Sequence, residues 1–541
     1  MLWRLVLLFP VLVALAGAET GGRYLVICPD TMLASVTPLT DWKHVTGMMP
    51  KVVPLSLVGN DSGSIRNFIR DAYFNWTIPP EYVLLIGDGA TLAAGIYREG
   101  EYYGSDNLYG DVTGDMRAEI PVGRLPAASA AELDVMVAKT MVYERSPYLT
   151  DSLWMRRLTT IVREDGDEND SIYWNNIRFA AQLASAAGFV NCDSLSYQRG
   201  HNRDDVIASV DRGTGIVLYR GQGCGNWWSP FDARPESTRN DSMLPIICSF
   251  TCGTMSLIPG EREIGDVWMC TCTDSSLRGA VAFYGNTHCQ GSVAKYRGAI
   301  TRGFFTGLFA EGRHRLGRAF LRSKEQLWQE FPEDSSDYRA FTLYGDPDML
   351  VWTATPQALV VDHPLSILPD SQQLVVTVYR LGVPVESALV CASLDTLVYE
   401  YGYTDTAGHV ELPIEAPETG SVRLVVTGPN FLPYDTLIPI AATGLAQNPE
   451  TWYVARQVRA VPAVSRTSVK LSWPAGLNAT RLSIVDRSGR IIWDASTQDR
   501  SHVVWDGRAA QGTRARPGVY WCVLTEPSGH PAVTAKFVLL D

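Results

Sequence analysis

The chain has 541 residues, 46% hydrophobic and 19% charged, with 46 basic against 58 acidic side chains and a net charge of −12. That length suits about three or four domains, and the acidic balance gives no basic footprint for nucleic acid. Ten cysteines are too dispersed for a small disulfide framework and lack zinc-site spacing, but they are compatible with a few bridges in an oxidising compartment.

In chain order, Arg4 precedes an apolar run from Leu5 to Leu15, and Ala16-Gly17-Ala18 supplies a small-residue cleavage step. Residues 1–18 therefore read as a secretory signal, and the mature protein as secreted or held at the cell surface. Pro10 and the short run argue against a retained membrane helix. Short apolar runs at 23–28, 52–57 and 82–86 alternate with helical spacing around Asp41 and over 65–74, which predicts a parallel sheet flanked by helices. Next comes the acidic, glycine-rich loop 104–115, in which Asp106, Asp111 and Asp115 could hold a structural Ca²⁺ or simply form solvated turns. Ser129, Glu132 and the stripe Leu133, Val137 and Met141 predict a capped helix over 129–144.

A second alternating block places strands at 158–162, 215–219, 244–250 and 279–284, and helices at 172–187, 294–310 and 316–331. Cys28, Cys248, Cys391 and Cys522 sit in strand-like apolar runs and read as inert core thiols. Beyond Pro356 short β-rich runs such as 374–379, 388–393 and 422–427 are split by Gly, Pro and Asp turns, a sandwich pattern. A linker at 441–449 leads to a second β module that finishes at 536–540.

Two stretches carry the chemistry. The strand 215–219 runs into Tyr219-Arg220-Gly221-Gln222-Gly223, and the strand 244–250 into Thr251-Cys252-Gly253. Neighbouring strands of this kind deliver their loops to one crevice, where α/β sheets bind ligands. This pair resembles the core of the gingipain-type cysteine peptidases, relatives of caspases and legumain, in which a Tyr-x-Gly-His-Gly loop faces an Ala-Cys step. The resemblance covers roughly Tyr24 to Trp352 and includes the closing segment Phe341-Thr342-Leu343-Tyr344-Gly345-Asp346-Pro347. It implies an α/β fold of two caspase-like parallel-sheet subdomains, 19–148 and 149–355, followed by two Ig-like sandwiches at 356–445 and 446–541. The last of these resembles both hook-capping domains and the sorting domains of type IX secretion, so it could engage secretion machinery or anchor the chain at a surface.

By the same resemblance Cys252 is the nucleophile of an endopeptidase. The N–H groups of Gly223 and Cys252 form its oxyanion hole, and Glu119, just before Val122-Gly123-Arg124, is the acid that orients the histidine. The substrate is then a peptide or protein, and no cofactor is required. The chain departs from this pattern in that Gln222 occupies the histidine position. An amide cannot take the thiol proton or return one to the leaving amine, and losing such help costs roughly two to four powers of ten in rate. Two functions stay open on these residues, a weak cysteine endopeptidase and a silent pseudopeptidase that binds peptides. His288, in the loop after 279–284, could stand in as base or be an ordinary hydrogen-bonded loop histidine. Arg220 could act on the thiol electrostatically, Cys224 could bridge to another thiol and block the cleft, and Trp227 and Trp228 could wall the pocket or pack as core. Gingipains also carry a long inhibitory pro-segment, whereas here the first strand is expected almost directly after Ala18.

Overall fold

In a computed structural model, residues 19–273, 276–289 and 294–441 are described, together with 459–461, 464–465, 467–472, 481–486, 490–497, 502–525 and 531–539. The signal-like stretch 1–18 and linker residues 442–449 lie outside them. Ten strands share one sheet: β1 (Tyr24–Cys28), β2 (Pro50–Pro54), β3 (Tyr82–Ile86), β4 (Val122–Leu125), β5 (Arg157–Val162), β6 (Asn191–Ser196), β7 (Ile216–Arg220), β8 (Ile246–Phe250), β9 (Ala282–Asn286) and β10 (Phe341–Tyr344). Their order is β2-β1-β3-β4-β10-β9-β8-β7-β5-β6. Neighbours are parallel except β9 and β10. The two predicted sheets are thus joined, because the short strand from the closing segment pairs with β9 on one side and with β4 on the other.

β1, β3, β7, β8 and β9 are buried at every residue, as befits a parallel sheet covered on both faces. Alternate residues feed two cores: Leu218, Ile246 and Phe250 pack with Tyr173, Ile177 and Phe304, while Val217, Tyr219 and Ile247 pack with Leu133 and Trp268. The covering helices include α1 (Leu33–Val45), α2 (Ser62–Asn75), α3 (Ala130–Arg145), α4 (Asn169–Ala186), α5 (Arg203–Asp211), α6 (Ile264–Cys270), α7 (Ala294–Phe305) and α8 (Leu316–Glu330). Ser129 caps α3 by accepting from Glu132 N–H at 3.3 Å, and the Glu132 carboxylate reaches back to Ala128 N–H at 2.9 Å. β2 ends earlier than its apolar run, since Leu55–Val58 turns helical after Pro54. β6 and α5 had no sequence counterpart.

Lys43 on α1 fastens the closing segment: its buried ammonium lies 2.9 Å from Glu144, 2.6 Å from Asp346 and 3.0 Å from Asp348. The first β-sandwich follows. It has one antiparallel sheet built on Asp370–Arg380 and His409–Ala416 and another on Leu389–Leu394, Val398–Tyr403, Ser421–Thr427 and Tyr434–Pro439. It docks on α1 through Tyr399, whose hydroxyl accepts from Met49 N–H at 2.8 Å and donates to His44 O at 3.0 Å. Residues 443–541 form a separate unit. Its strands Arg481–Asp486, Gly518–Thr525 and Pro531–Leu539 pair antiparallel, and its core includes Leu471, Ile484, Trp505 and Cys522. Among the described residues no helix is long and apolar enough to cross a membrane.

Among the described residues two lysines are buried without a carboxylate in hydrogen-bonding contact. Lys139 donates to Trp268 O at 3.1 Å and Met269 O at 2.7 Å, and Lys324 to Asn107 Oδ1 at 2.8 Å. Burial pushes both down to about 7. The unfolded chain then binds more protons than the folded one between about pH 7 and 10, so stability rises with pH across that window. Thermal or denaturant unfolding of wild type should show a higher midpoint at pH 9 than at pH 7. Lys139→Met should remove one lysine's share of that slope, about 1.4 kcal/mol per pH unit.

Candidate functional site

The site begins with strand register. β8 pairs with β7 so that Phe250 lies opposite Arg220, which releases both loops at the same level. Thr251 then donates from Oγ1 to Gly221 O at 2.7 Å. Gly221 takes φ +151°, and a Cβ there would meet Arg163 Cβ at 2.7 Å, so only glycine fits between these strands. A Cβ on Gly223 would lie 2.9 Å from Thr251 Cγ2. With the backbones this close, Cys252 points its Sγ at Gln222 Oε1, 3.9 Å away. Cys252 is 8% exposed, and among the described residues its N–H has no hydrogen-bond acceptor.

The acid of the site comes from the neighbouring strand. Arg163, just after β5, donates its backbone N–H to Arg220 O at 2.9 Å, which brings Asp165 beside the Gln222 loop. The Asp165 carboxylate is held by the Arg163 guanidinium and by the Tyr173 hydroxyl, which donates to Oδ2 at 3.4 Å, and it lies within electrostatic reach of the Gln222 amide. Burial raises the Asp165 carboxyl above its ordinary value, against the opposing pull of the Arg163 guanidinium. The amide that faces the sulfur therefore also has a carboxylate nearby. Glu119, expected in that role, is elsewhere. Its carboxylate accepts from Val112 N–H at 3.0 Å and Thr113 Oγ1 at 2.9 Å and closes its own loop.

The cation at the sulfur is Arg297 of α7, which is 4% exposed and donates from Nη1 to Cys252 Sγ at 2.9 Å. Its Nε lies 3.5 Å from Asp337 Oδ2, and neither Nε nor Nη2 makes a hydrogen bond. Arg220 instead ties the strand ends together: Nε bonds Asn176 Oδ1 at 3.1 Å, Nη2 bonds Ala294 O at 2.9 Å, and Nη1 bonds Phe250 O. Burial pushes Arg220 down to about 9. Arg297 thus puts a positive charge and a hydrogen-bond donor directly on the sulfur.

His288 does not reach the sulfur. Its Nδ1 bonds Ser336 Oγ at 3.1 Å and its Nε2 bonds Glu99 O at 3.0 Å, and the buried ring stacks on Tyr103 at 4.3 Å. Its backbone joins the site instead, His288 O accepting from Gly253 N–H at 2.8 Å. Cys224 and Cys289 form a disulfide. It ties the rim hairpin Gly223–Cys224 and Asn226–Trp227 to the loop after β9 and packs against Gly253, where a Cβ would meet Cys289 Sγ at 2.4 Å. The two tryptophans divide. Trp227 is core, donating to Ser249 Oγ at 2.9 Å and stacking on Tyr219 at 4.7 Å, whereas Trp228 is 47% exposed with the Arg163 guanidinium 5.9 Å from its ring centre.

The three acids proposed for Ca²⁺ do not converge. Asp106 is taken by a buried ion pair with Arg124 at 2.7 Å, Asp111 accepts from Gly114 N–H at 2.6 Å and Met116 N–H at 3.2 Å, and Asp115 accepts from Arg117 N–H at 2.9 Å. Among the described residues no group of three His, Cys, Asp or Glu side chains could hold a metal ion. Cys28, Cys248, Cys391 and Cys522 are buried.

Sheet topology and thiol together define an α/β scaffold of the cysteine-peptidase kind. Residues 17–352 match Peptidase family C25, and the chain belongs to that family. It is similar to Gingipain R2 of Porphyromonas gingivalis, 23% identical over 89% of this chain and 64% of the relative, so it spans about two thirds of that protein's length. Similarity to Lys-gingipain HG66 of the same organism is 21% over 77% of this chain and 25% of the relative. The crystal structure of the Arg-specific cysteine proteinase gingipain R superposes with a TM-score of 0.69 and 19% identity, over 78% of this chain and 98% of that one, and so shares the fold.

If Arg297 stabilises the sulfur anion, Arg297→Met should slow iodoacetamide labelling of Cys252 at pH 7 by about tenfold or more. Labelling of the exposed Cys272 should stay unchanged. Site-resolved mass spectrometry reads both rates, and equal Cys252 rates in the two proteins would exclude the electrostatic role.

Proposed function

We propose that the α/β unit is a thiol endopeptidase site of low turnover, in an exported protein, with the proton-carrying residue replaced by an amide. The observation that carries this is the Cys252 thiol aimed at Gln222 Oε1, 3.9 Å away, with the Arg297 guanidinium on the sulfur at 2.9 Å and the Asp165 carboxylate near the amide. A histidine placed there would stand between the thiol and a nearby carboxylate. In the reaction the Sγ thiolate attacks the peptide carbonyl carbon to form a C–S bond, and the C–N bond breaks as the amine takes a proton from solvent water. A second water then hydrolyses the thioester to a carboxylate and returns the thiolate. Arg297 holds the sulfur anion, and the N–H groups of Cys252 and Gly223 hold the oxyanion.

The slow step is departure of the amine, which needs a proton that Gln222 cannot supply. Without that donor the rate should fall roughly two to four powers of ten. Export is supported by the basic-then-apolar stretch 1–18 and by the Cys224–Cys289 disulfide, a feature of oxidising compartments. The β modules are then the parts available for surface attachment or sorting, and the substrate is a peptide or protein.

On a mixed peptide library, wild type should cleave slowly and Cys252→Ala not at all. Gln222→His should gain at least tenfold in kcat, and adding Asp165→Asn to it should remove most of that gain. Cleavage by the histidine variant alone, with wild type indistinguishable from Cys252→Ala, would make the natural site a peptide-binding one. A silent histidine variant would end the peptidase assignment.

A further inference from the structure

Away from the thiol, α8 and the first β-sandwich enclose a cleft of about 380 Å³, a size that suits small ligands, at a domain boundary where such sites are common. Its walls present Arg313, Arg315 and Arg318 on one side and Leu389 and Tyr403 of the sandwich on the other, with Leu350 at the base. Among the described residues no aspartate or glutamate lines it.

The three guanidiniums differ in what already holds them. Arg315 is fixed by its ion pair with the buried Asp348. Arg313 is braced by Glu311 at 2.9 Å and Glu325 at 3.2 Å. Arg318 lies over the Tyr82 ring at 4.9 Å and donates from Nε to its hydroxyl at 3.1 Å, which leaves its Nη groups with no carboxylate partner among the described residues. Immobilised guanidiniums lose little entropy on binding and suit planar carboxylates or phosphates.

We propose that this cleft is a second ligand site, for a small organic polyanion of di- or tricarboxylate type. One carboxylate would pair with Arg318, another with the outward edges of Arg313 and Arg315, and the carbon skeleton would lie against Leu350 and Leu389. Because both domains contribute walls, the ligand would also tighten their docking and raise the unfolding temperature.

The test is calorimetric titration and thermal unfolding of the full chain with citrate, against sodium chloride matched for ionic strength to separate screening from binding. Wild type should bind saturably with a rise in Tm. Arg318→Ala should bind at least about tenfold more weakly, as should Arg318→Gln, which is the milder variant if alanine disturbs packing on Tyr82. Iodoacetamide labelling of Cys252 should be the same in all three. No saturable binding by wild type, binding by both variants as tight as by wild type, or binding of an acidic tetrapeptide but not of citrate would overturn the proposal.

Discussion

The pairing of Phe250 with Arg220 is the constraint from which the site follows. Since β7 and β8 run parallel and level, the residues two beyond each strand end, Gln222 and Cys252, must emerge side by side. A shift by one residue would turn alternate side chains to the opposite face and part the amide from the sulfur. The register is secured by backbone ladders and also by a side chain: Arg220 binds Phe250 O, Ala294 O and Asn176 at once. A fully buried guanidinium is costly unless its donors are used. Here it crosslinks β7, β8, α4 and the start of α7, and so brings Arg297, one turn further on, to the sulfur.

That dependence explains which parts of the site the sequence made legible. Gln222 and Cys252 were readable because each ends an apolar run at a glycine or small polar break, a local signal. Asp165 also stands just past a strand, in Arg163-Glu164-Asp165-Gly166-Asp167, and the rule that ligands gather beyond strand ends covers it. The missing fact was that β5 is the neighbour of β7, a matter of strand order. Without it, the acid nearest a recognised motif, Glu119, took the role. Arg297 gave no signal at all, since one arginine in a predicted helix reads as a solvated face. His288 was placed correctly at a loop after β9, but its ring direction was set by Tyr103, Ser336 and Glu99 from distant segments.

The fold was more legible than the site for the same reason. Continuous apolar runs such as 82–86 and 244–250 are sufficient to announce buried parallel strands. β6, Asn-Cys-Asp-Ser-Leu-Ser, is an edge strand with little apolar content, and so carried no such pattern. The union of both halves into one sheet depends on β10, four residues long, whose pairing with β4 and β9 no periodicity encodes.

On the proposed reading, Gln222 preserves the cleft while removing proton transfer. An apolar residue there would take the polar neighbour from the thiol, while Asp165 would keep its pairing with Arg163 and Tyr173. The amide offers an oxygen to the thiol, and a histidine in its place would in addition change its charge near neutral pH. On that reading, the difference between a turning-over and a silent site is confined to one titratable proton. The surrounding elements, the Arg220 crosslink, the Arg297 contact and the Cys224–Cys289 strap, hold their geometry whichever side chain stands at 222, because each is anchored through residues other than the Gln222 side chain.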